Sequence, residues 1–295
     1  PPIGVCSVTI PHQMTIKFVF RLSDALRHNS KLKSSFAFGE TGLKIVVTVK
    51  QIPDPNGAHK LTSDNRLARD GEVVLDPGDE YGVEAALKIK ESSGDSEVVL
   101  VSMGPAKAAD AIRKGLSMGA DRAIHISDDG LAGADALTTA QVLAAAIKAE
   151  APDLVVCGTE STDGSTGMVP PMLAELLGFP QLTFAKQVEV NGTKVKIQRQ
   201  TDVGYDVIEA EAPALITVTA GVGEPRYASL KGIMAARNKE VKKVGLDDLG
   251  VSRGTPPEEL LDVIEAEQRQ AGEVIEDDGT AVDKIIALLV KVKAI

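Results

Sequence analysis

The stretch KIVVTV, residues 44–49, is a nearly continuous run of apolar and β-branched residues. Such runs are typical of parallel strands that are buried on both faces of a sheet, because neither face has to be polar. Similar runs follow along the chain: EVVLV (97–101), RAIHI (122–126), DLVVC (153–157) and ALITVT (214–219). Together these runs predict a parallel sheet.

Segments with a helical spacing of apolar residues separate these strands. One lies at 80–91, a second begins at Pro105, and a third lies within 134–149. Strands and helices that alternate over short connections form right-handed crossovers, which place helices on both faces of a parallel sheet. The predicted fold class is therefore α/β, a Rossmann-like parallel sheet with helices on both faces.

The pattern changes after residue 180. In 186–200 apolar residues occupy alternate positions on both sides of Asn191-Gly192, which predicts an antiparallel hairpin with a type I′ turn. We expect this hairpin to be inserted before the last central strand. The α/β domain is predicted to cover residues 43–245.

Residues 246–295 are predicted to form a C-terminal arm. A short acidic helix is expected around 258–268 and a last helix at 280–293. The last helix has a broad apolar face, which must be covered either by this domain or by another chain. In the second case the arm and its helix would contact a partner subunit.

The first 42 residues differ from the rest of the chain. They contain four of the six phenylalanines, are richer in basic than in acidic residues, and show no helical or strand period. A transit peptide is one interpretation. The other, which we prefer, is a non-native or disordered extension that lies outside the fold.

Composition excludes several classes of protein. The net charge of −10 argues against a general nucleic-acid binder, which is normally basic. No apolar run approaches the roughly 20 residues that a membrane span needs, so the chain is not expected to be membrane-inserted. Two cysteines fit a reducing compartment. We expect a cytoplasmic location, with the mitochondrial matrix as the less favoured alternative.

The loop CGTESTDGSTGMVPP, residues 157–171, is the first candidate binding site. It follows a buried strand, at the edge of an open parallel sheet where ligands bind. Its glycines permit close backbone approach, and its hydroxyls and amides before a helix attract phosphate. A polar connection without a ligand is the competing interpretation. The P-loop pattern is absent, and GVG at 221–223 lacks the third glycine of a dinucleotide fingerprint.

Catalytic patterns are weak. His125 and Cys157 each lie at the end of a predicted strand, where a packing role is the simpler interpretation. No triad and no metal-ligand spacing stands out, so no catalytic or metal-binding residue is predicted. A nucleotide-sized pocket without catalytic groups indicates a binding or carrier protein rather than an enzyme.

The stretch EPRYASLKGIMAARNKEV, residues 224–241, is the second candidate site. One interpretation is an amphipathic surface helix with Leu230 turned inward. The other is an exposed turn before a short helix, with Leu230, Ile233 and Met234 available to a partner. Arg226, Lys231, Arg237, Lys239 and Lys242 would then surround the leucine with positive charge.

Four segments resemble the beta subunit of electron transfer flavoproteins. They are KIVVTVKQIPDP (44–55), DEYGVEAALKIKE (79–91), GPAKAADAIRKGLSMGADRAIHI (104–126) and EPRYASLKGIMAARNKEV (224–241). The resemblance extends from Leu43 to the C-terminus. Leu43 stands where the family's initiator methionine would be, so we expect the native chain to begin at residue 43.

The resemblance implies an electron carrier that pairs with an alpha subunit, which holds most of a shared FAD. Electrons would come from dehydrogenases, such as acyl-CoA dehydrogenases, and pass to a membrane quinone oxidoreductase. The family's docking leucine falls on Leu230. The resemblance also implies a structural AMP in this subunit, held by Thr48, Asp76, Pro77, Gly78, Asp79, Met103, Gly158, Thr159, Asp163, Gly164, Ser165 and Thr166.

Two alternatives stay open. In the family's flavin-bifurcating members a second FAD replaces the AMP, although the short, hydroxyl-rich loop here favours AMP. A stand-alone ATP-binding stress-type protein would share the fold, form homodimers and need no flavin. The apolar C-terminal helix and the segment 224–241, here called the leucine segment, argue against that second alternative, since both require partners.

Overall fold

A nine-stranded sheet lies at the centre of the fold. The computed structural model describes residues 4–10, 14–20, 42–57, 60–63, 66–252, 274–275 and 277–295. The strands in these ranges are β1 Gly4–Ile10, β2 Met14–Phe20, β3 Lys44–Thr48, β4 Gln51–Pro53, β5 Val73–Leu75, β6 Glu97–Met103, β7 Arg122–Ile126, β8 Leu154–Gly158, β9 Gln181–Asn191, β10 Lys194–Thr201, β11 Gly204–Glu211, β12 Ala214–Val218 and β13 Val241–Val244. The helices are α1 Pro77–Ser93, α2 Ala109–Met118, α3 Ala136–Glu150, α4 Val169–Leu177, α5 Leu230–Ala236, α6 Leu246–Leu249 and α7 Ala281–Lys291.

The order of strands in the sheet is β11-β10-β9-β12-β8-β3-β6-β7-β13. In this spatial order, every neighbouring pair between β9 at one side and β13 at the other edge is parallel. Strand β10 pairs antiparallel with both β9 and β11. The chain moves from β3 outward through β6 and β7, then returns to β8 on the other side of β3. The strand order therefore reverses between β3 and β8, and open parallel sheets bind ligands at the carboxyl ends of the strands at such a reversal.

Helices cover both faces of the sheet, as predicted. Alternate residues of β3 point to opposite faces, so Ile45 and Val47 belong to one core and Val46 to the other. Helices α1 and α2 pack on the first face, and α3 and α4 pack on the second. Because β3 is buried on both faces, its sequence is apolar without alternation.

The predicted hairpin is present but differs in two ways. Lys194 pairs with Asn191, so the turn residues are Gly192 and Thr193 rather than Asn191-Gly192. Gly192 has a φ of 60°, which a glycine adopts without a steric penalty. A third antiparallel strand, β11, was not predicted, because its sequence GYDVIEAE is acidic and exposes most of its side chains.

The N-terminal segment contains an antiparallel pair, β1 with β2, where no regular structure was expected. This pair forms a sheet of its own. That residues 1–42 lie outside the native protein stays a prediction.

At the other end, α7 confirms the helix expected at 280–293, and the acidic helix expected around 258–268 lies outside the described residues. Apart from Ala281 and the half-buried Leu289, the apolar residues of α7 are exposed. None of the helices in the described part of the chain is long and apolar enough to cross a membrane.

Candidate functional site

The residues predicted to bind a nucleotide gather at the carboxyl edge of the parallel sheet. Thr48 ends β3, Met103 ends β6 and Gly158 ends β8, while residues 76–79 form the start of α1. Met103 is half-buried and packs against the core under α3 and α4. The site thus lies at the strand-order reversal, where open parallel sheets bind ligands.

Asp76 joins the start of α1 to the loop after β8. Its side chain is completely buried and caps α1, where it accepts a hydrogen bond from the Gly78 amide at 2.9 Å. The same carboxylate accepts bonds of 2.7 Å from both the amide and the hydroxyl of Thr162. An aspartate followed by proline is a favoured helix start, so the sequence dictates this cap locally.

Asp79 is a second buried acid, one turn along α1. Its Oδ2 accepts a 2.7 Å hydrogen bond from the Lys50 amide, just beyond β3. Burial, together with the nearby Asp76 carboxylate, raises the pKa of Asp79 well above its ordinary value, although the amides of Lys50 and Gly158 oppose this shift.

The raised pKa of Asp79 predicts a pH-dependent effect of Asp79→Asn. Between the unfolded pKa of about 3.9 and the higher folded pKa, the folded chain binds more protons than the unfolded chain. Stability from this group is therefore lost as the pH rises through that interval. We expect Asp79→Asn to gain stability relative to the parent chain as the pH rises from about 4 through the raised folded pKa of Asp79, measured by chemical denaturation of the full chain.

The matched control for this experiment is Asp202→Asn, at an exposed turn between β10 and β11. It shows the effect of removing one exposed carboxylate, with which the effect of Asp79→Asn is compared. If Asp79→Asn instead destabilised the chain by the same amount throughout this pH range, Asp79 would be charged in the folded chain and held by the amides of Lys50 and Gly158.

Asp163 is held by two cations that the sequence analysis did not identify. Lys50 Nζ lies 2.5 Å from Oδ1, and an Arg69 guanidinium nitrogen lies 2.7 Å from Oδ2. Burial would raise the pKa of Asp163, but the hydrogen bonds from Lys50 and Arg69 lower it below its ordinary value. Lys50 also donates to Ser161 Oγ at 3.1 Å. Lys50 lies two residues beyond Thr48, at the carboxyl end of β3, and this position in the sequence could have identified it as a site residue.

The loop amides are less free than the sequence suggested. The amides of Gly164 and Ser165 both donate to the Ser161 carbonyl, at 3.2 and 2.8 Å, and close a turn. Among the described residues, the amides of Thr166 and Gly167 have no protein acceptor. They precede α4, in which Pro170 and Pro171 lie in the first turn. An anion at this loop would therefore meet Thr166 and Gly167 rather than the whole segment.

Gly158 permits the close approach of β8 to α1. A Cβ at this position would lie 3.0 Å from Asp79 Oδ1 and 3.2 Å from the Gly78 carbonyl carbon. A larger residue would separate the strand end from the helix start. Thr159, by contrast, donates to the Val218 carbonyl at 2.9 Å and ties the loop to β12.

The two residues considered for catalysis are buried in packing positions. Burial raises the pKa of the Cys157 thiol to about 12, opposed by a hydrogen bond with Thr48. The thiol is therefore protonated and not nucleophilic at neutral pH. His125 is fully buried, with Nε2 3.2 Å from the Gly104 carbonyl. In the described ranges no group of His, Cys, Asp and Glu could hold a metal ion.

The second candidate site is the helix α5. Ser229 caps it through a 3.0 Å bond from the Gly232 amide, so Leu230 is its first residue. Leu230 is 76% exposed, and Ile233 and Met234 are also exposed. The interpretation that Leu230 points inward is therefore wrong for this chain.

The predicted ring of basic residues is only partly present. Lys231, Arg237 and Lys242 are exposed, and none forms an ion pair within the described residues. Arg226 is instead bound to two glutamates, and Lys239 donates to backbone carbonyls. The available charge near Leu230 is therefore smaller than the sequence indicates.

Comparisons with known proteins agree with this architecture. The model of the family described as "Electron transfer flavoprotein domain" matches residues 64–249. The "Electron transfer flavoprotein subunit beta" of Mycobacterium tuberculosis is 41% identical over 263 residues, which cover 85% of this chain and 99% of the relative. The protein of the same name from Megasphaera elsdenii is 36% identical over 270 residues, covering 86% of this chain and all of the relative.

Proposed function

This chain belongs to the electron transfer flavoprotein family, as a beta subunit, and from that premise we propose that it forms a heterodimer with an alpha subunit and carries electrons through a shared FAD. The alpha subunit would hold most of the FAD, which supplies the redox chemistry. This chain would contribute structure and partner recognition and no catalytic residue. The observation that carries this proposal is the 41% identity with beta subunits along nearly their whole length.

We further propose that a nucleotide, AMP, binds at the carboxyl ends of β3 and β8. The strand-order reversal between β3 and β8 supports this assignment, as do the amides of Thr166 and Gly167 before α4, which have no acceptor among the described residues. Lys50 and Arg69 neutralise Asp163, which would otherwise repel a phosphate at this loop. The AMP would stabilise the loop and has no role in electron transfer.

The exposed apolar face of α7 supports a contact with the alpha subunit. Val282, Ile285 and Ile286 are exposed on a helix of eleven residues, and a face of this kind is normally covered. The arm 246–295 would extend from the α/β domain to the partner and place α7 on it.

The leucine segment supports the docking of electron donors. Leu230, Ile233 and Met234 present an apolar surface with Lys231 and Arg237 beside it. We propose that dehydrogenases, such as acyl-CoA dehydrogenases, bind here. A membrane quinone oxidoreductase would then accept the electrons transiently. A small apolar anchor with nearby charge gives fast association and fast release, as an electron carrier requires.

Cofactor analysis of the purified heterodimer tests the proposed function. After co-expression with its alpha subunit, we expect a yellow protein that releases one FAD and one AMP per heterodimer on heating. Two FAD molecules and no AMP would show the flavin-bifurcating form instead. A colourless homodimer that contains ATP would contradict the heterodimer and support a stand-alone ATP-binding protein.

A further inference from the structure

Arg226 lies four residues before Leu230 and binds the helix α1. Its backbone amide, Nε and one terminal nitrogen contact the carboxylate of Glu84, at 3.1, 2.7 and 3.1 Å. Its two terminal nitrogens also donate to Glu91, at 2.5 and 3.2 Å. The planar guanidinium therefore joins two glutamates that are two turns apart on α1.

Arg226 is the nearer of the two cations that pair with the buried Glu84 carboxylate. The Glu84 side chain is 5% exposed, and the other nearby cation, Lys88, lies 3.8 Å away with half of its side chain in solvent. Hydrogen bonds to Glu91 and Glu84 raise the pKa of Arg226, so its charge is permanent. A buried carboxylate with this pairing fixes the position of the backbone at residue 226, because moving it would leave Glu84 with only the half-exposed Lys88 as a cationic partner.

The other end of α5 is fixed to α2. Arg113 donates to the carbonyls of Ala236 and Lys239 at 2.5 and 2.9 Å. Lys239 Nζ donates to the carbonyls of Leu116 and Ala120 at 3.1 and 2.5 Å, at the end of α2. These contacts hold residues 236–239, whereas the approach to Leu230 from residue 226 depends on the glutamates of α1.

We propose that Arg226 is a positioning residue for docking, which holds Leu230 in its exposed, ordered place by joining residues 224–229 to α1. The inference rests on the proposed docking function of Leu230. Arg226 would contribute no steering charge, since Glu84 and Glu91 neutralise it. Its effect would come from pre-ordering the segment, which lowers the entropic cost that a partner otherwise meets on binding.

The test uses the Arg226→Lys variant of the assembled heterodimer. Lysine keeps the charge but cannot join both glutamates, because it lacks the planar fork. With an acyl-CoA dehydrogenase and its acyl-CoA substrate as donor, we expect the KM for the heterodimer to rise about five- to tenfold. We expect kcat, FAD content and the flavin spectrum to stay close to those of the parent.

Glu91→Gln provides a second variant that is safe for folding, since the Glu91 side chain is 58% exposed. It replaces the charged carboxylate by a neutral amide that keeps one acceptor oxygen for Arg226, and it leaves the bonds between Arg226 and Glu84 in place. We expect a smaller rise in KM with the same unchanged spectrum. Lys231→Gln is the matched control, because it removes an exposed cation beside Leu230 that forms no ion pair within the described residues. Its effect on the KM should weaken as salt is added.

A double-mutant cycle separates positioning from other roles. If Arg226 acts through Leu230, adding Arg226→Lys to Leu230→Ala should change the KM by less than about twofold. Equal effects in both backgrounds would overturn the inference, as would an unchanged KM in Arg226→Lys. An unchanged rate in Leu230→Ala alone would refute the docking function itself, and the inference with it.

Discussion

Replacing Leu230 by alanine is expected to slow electron transfer from dehydrogenases by an order of magnitude or more and to leave the flavin spectrum and the Tm nearly unchanged. Leu230 is 76% exposed at the start of α5, so its truncation removes little burial inside the subunit. A single anchor that fills a pocket on the partner can dominate the binding energy of a small interface. Stopped-flow reduction of the heterodimer by a substrate-reduced acyl-CoA dehydrogenase measures this rate.

Val203→Ala is the matched control. Val203 is an exposed apolar residue at the turn between β10 and β11, outside α5. Its truncation should leave both rate and stability unchanged. If Leu230→Ala instead lost about 2–5 kcal/mol, as a buried leucine does, the side chain would be covered in the heterodimer and could not dock donors.

Replacing Asp76 by alanine is expected to cost about 2–4 kcal/mol of unfolding free energy and to reduce the bound nucleotide. The buried carboxylate accepts bonds from Gly78 and from two groups of Thr162, so its loss frees the loop from the start of α1. Because Thr162 is exposed, water replaces part of these bonds and limits the cost. Denaturant unfolding and nucleotide content of the purified heterodimer measure both effects.

Thr162→Val is the control for Asp76→Ala. It removes the hydroxyl bond to Asp76 and keeps the amide bond, so we expect a loss of about 1 kcal/mol. An Asp76→Ala variant within about 0.5 kcal/mol of the parent would show that Asp76 does not join the loop to α1 in solution. Full nucleotide occupancy in that variant would contradict its role at the site.

Much of the fold was predictable because its patterns are local. The runs at 44–49 and 153–157 are apolar throughout, since strands β3 and β8 are covered on both faces. Strand β11 was not predictable in this way, because an exposed edge strand has no buried face to impose a period. The turn at Gly192-Thr193 was displaced by one residue, since the register of β10 is set by its pairing along the whole of β9.

The candidate site was predictable in its position but not in its contacts. Gly158 directly follows the predicted strand 153–157, whereas the helix was predicted only from residue 80 and in fact begins at Pro77 with Asp76 as its cap. Lys50 and Arg69 were missed because they reach Asp163 from segments 113 and 94 residues away. The Ser161 carbonyl accepts hydrogen bonds from the amides of Gly164 and Ser165, in a turn that no sequence pattern predicted.

The amino-acid sequence by itself determined the alternation of the central strands and helices and the family, because these depend on neighbours along the chain or on the matched segments. Only the tertiary structure decided which charged side chains near Leu230 are exposed and available to a docking partner. Arg226 and Lys231 are both basic residues of one short segment, yet Arg226 is bound to Glu84 and Glu91, while Lys231 is exposed. The physical reason is that α1 is 135–142 residues away in sequence and meets Arg226 only once the chain has packed. Pairing between distant charges is set by that packing, and no local pattern encodes it.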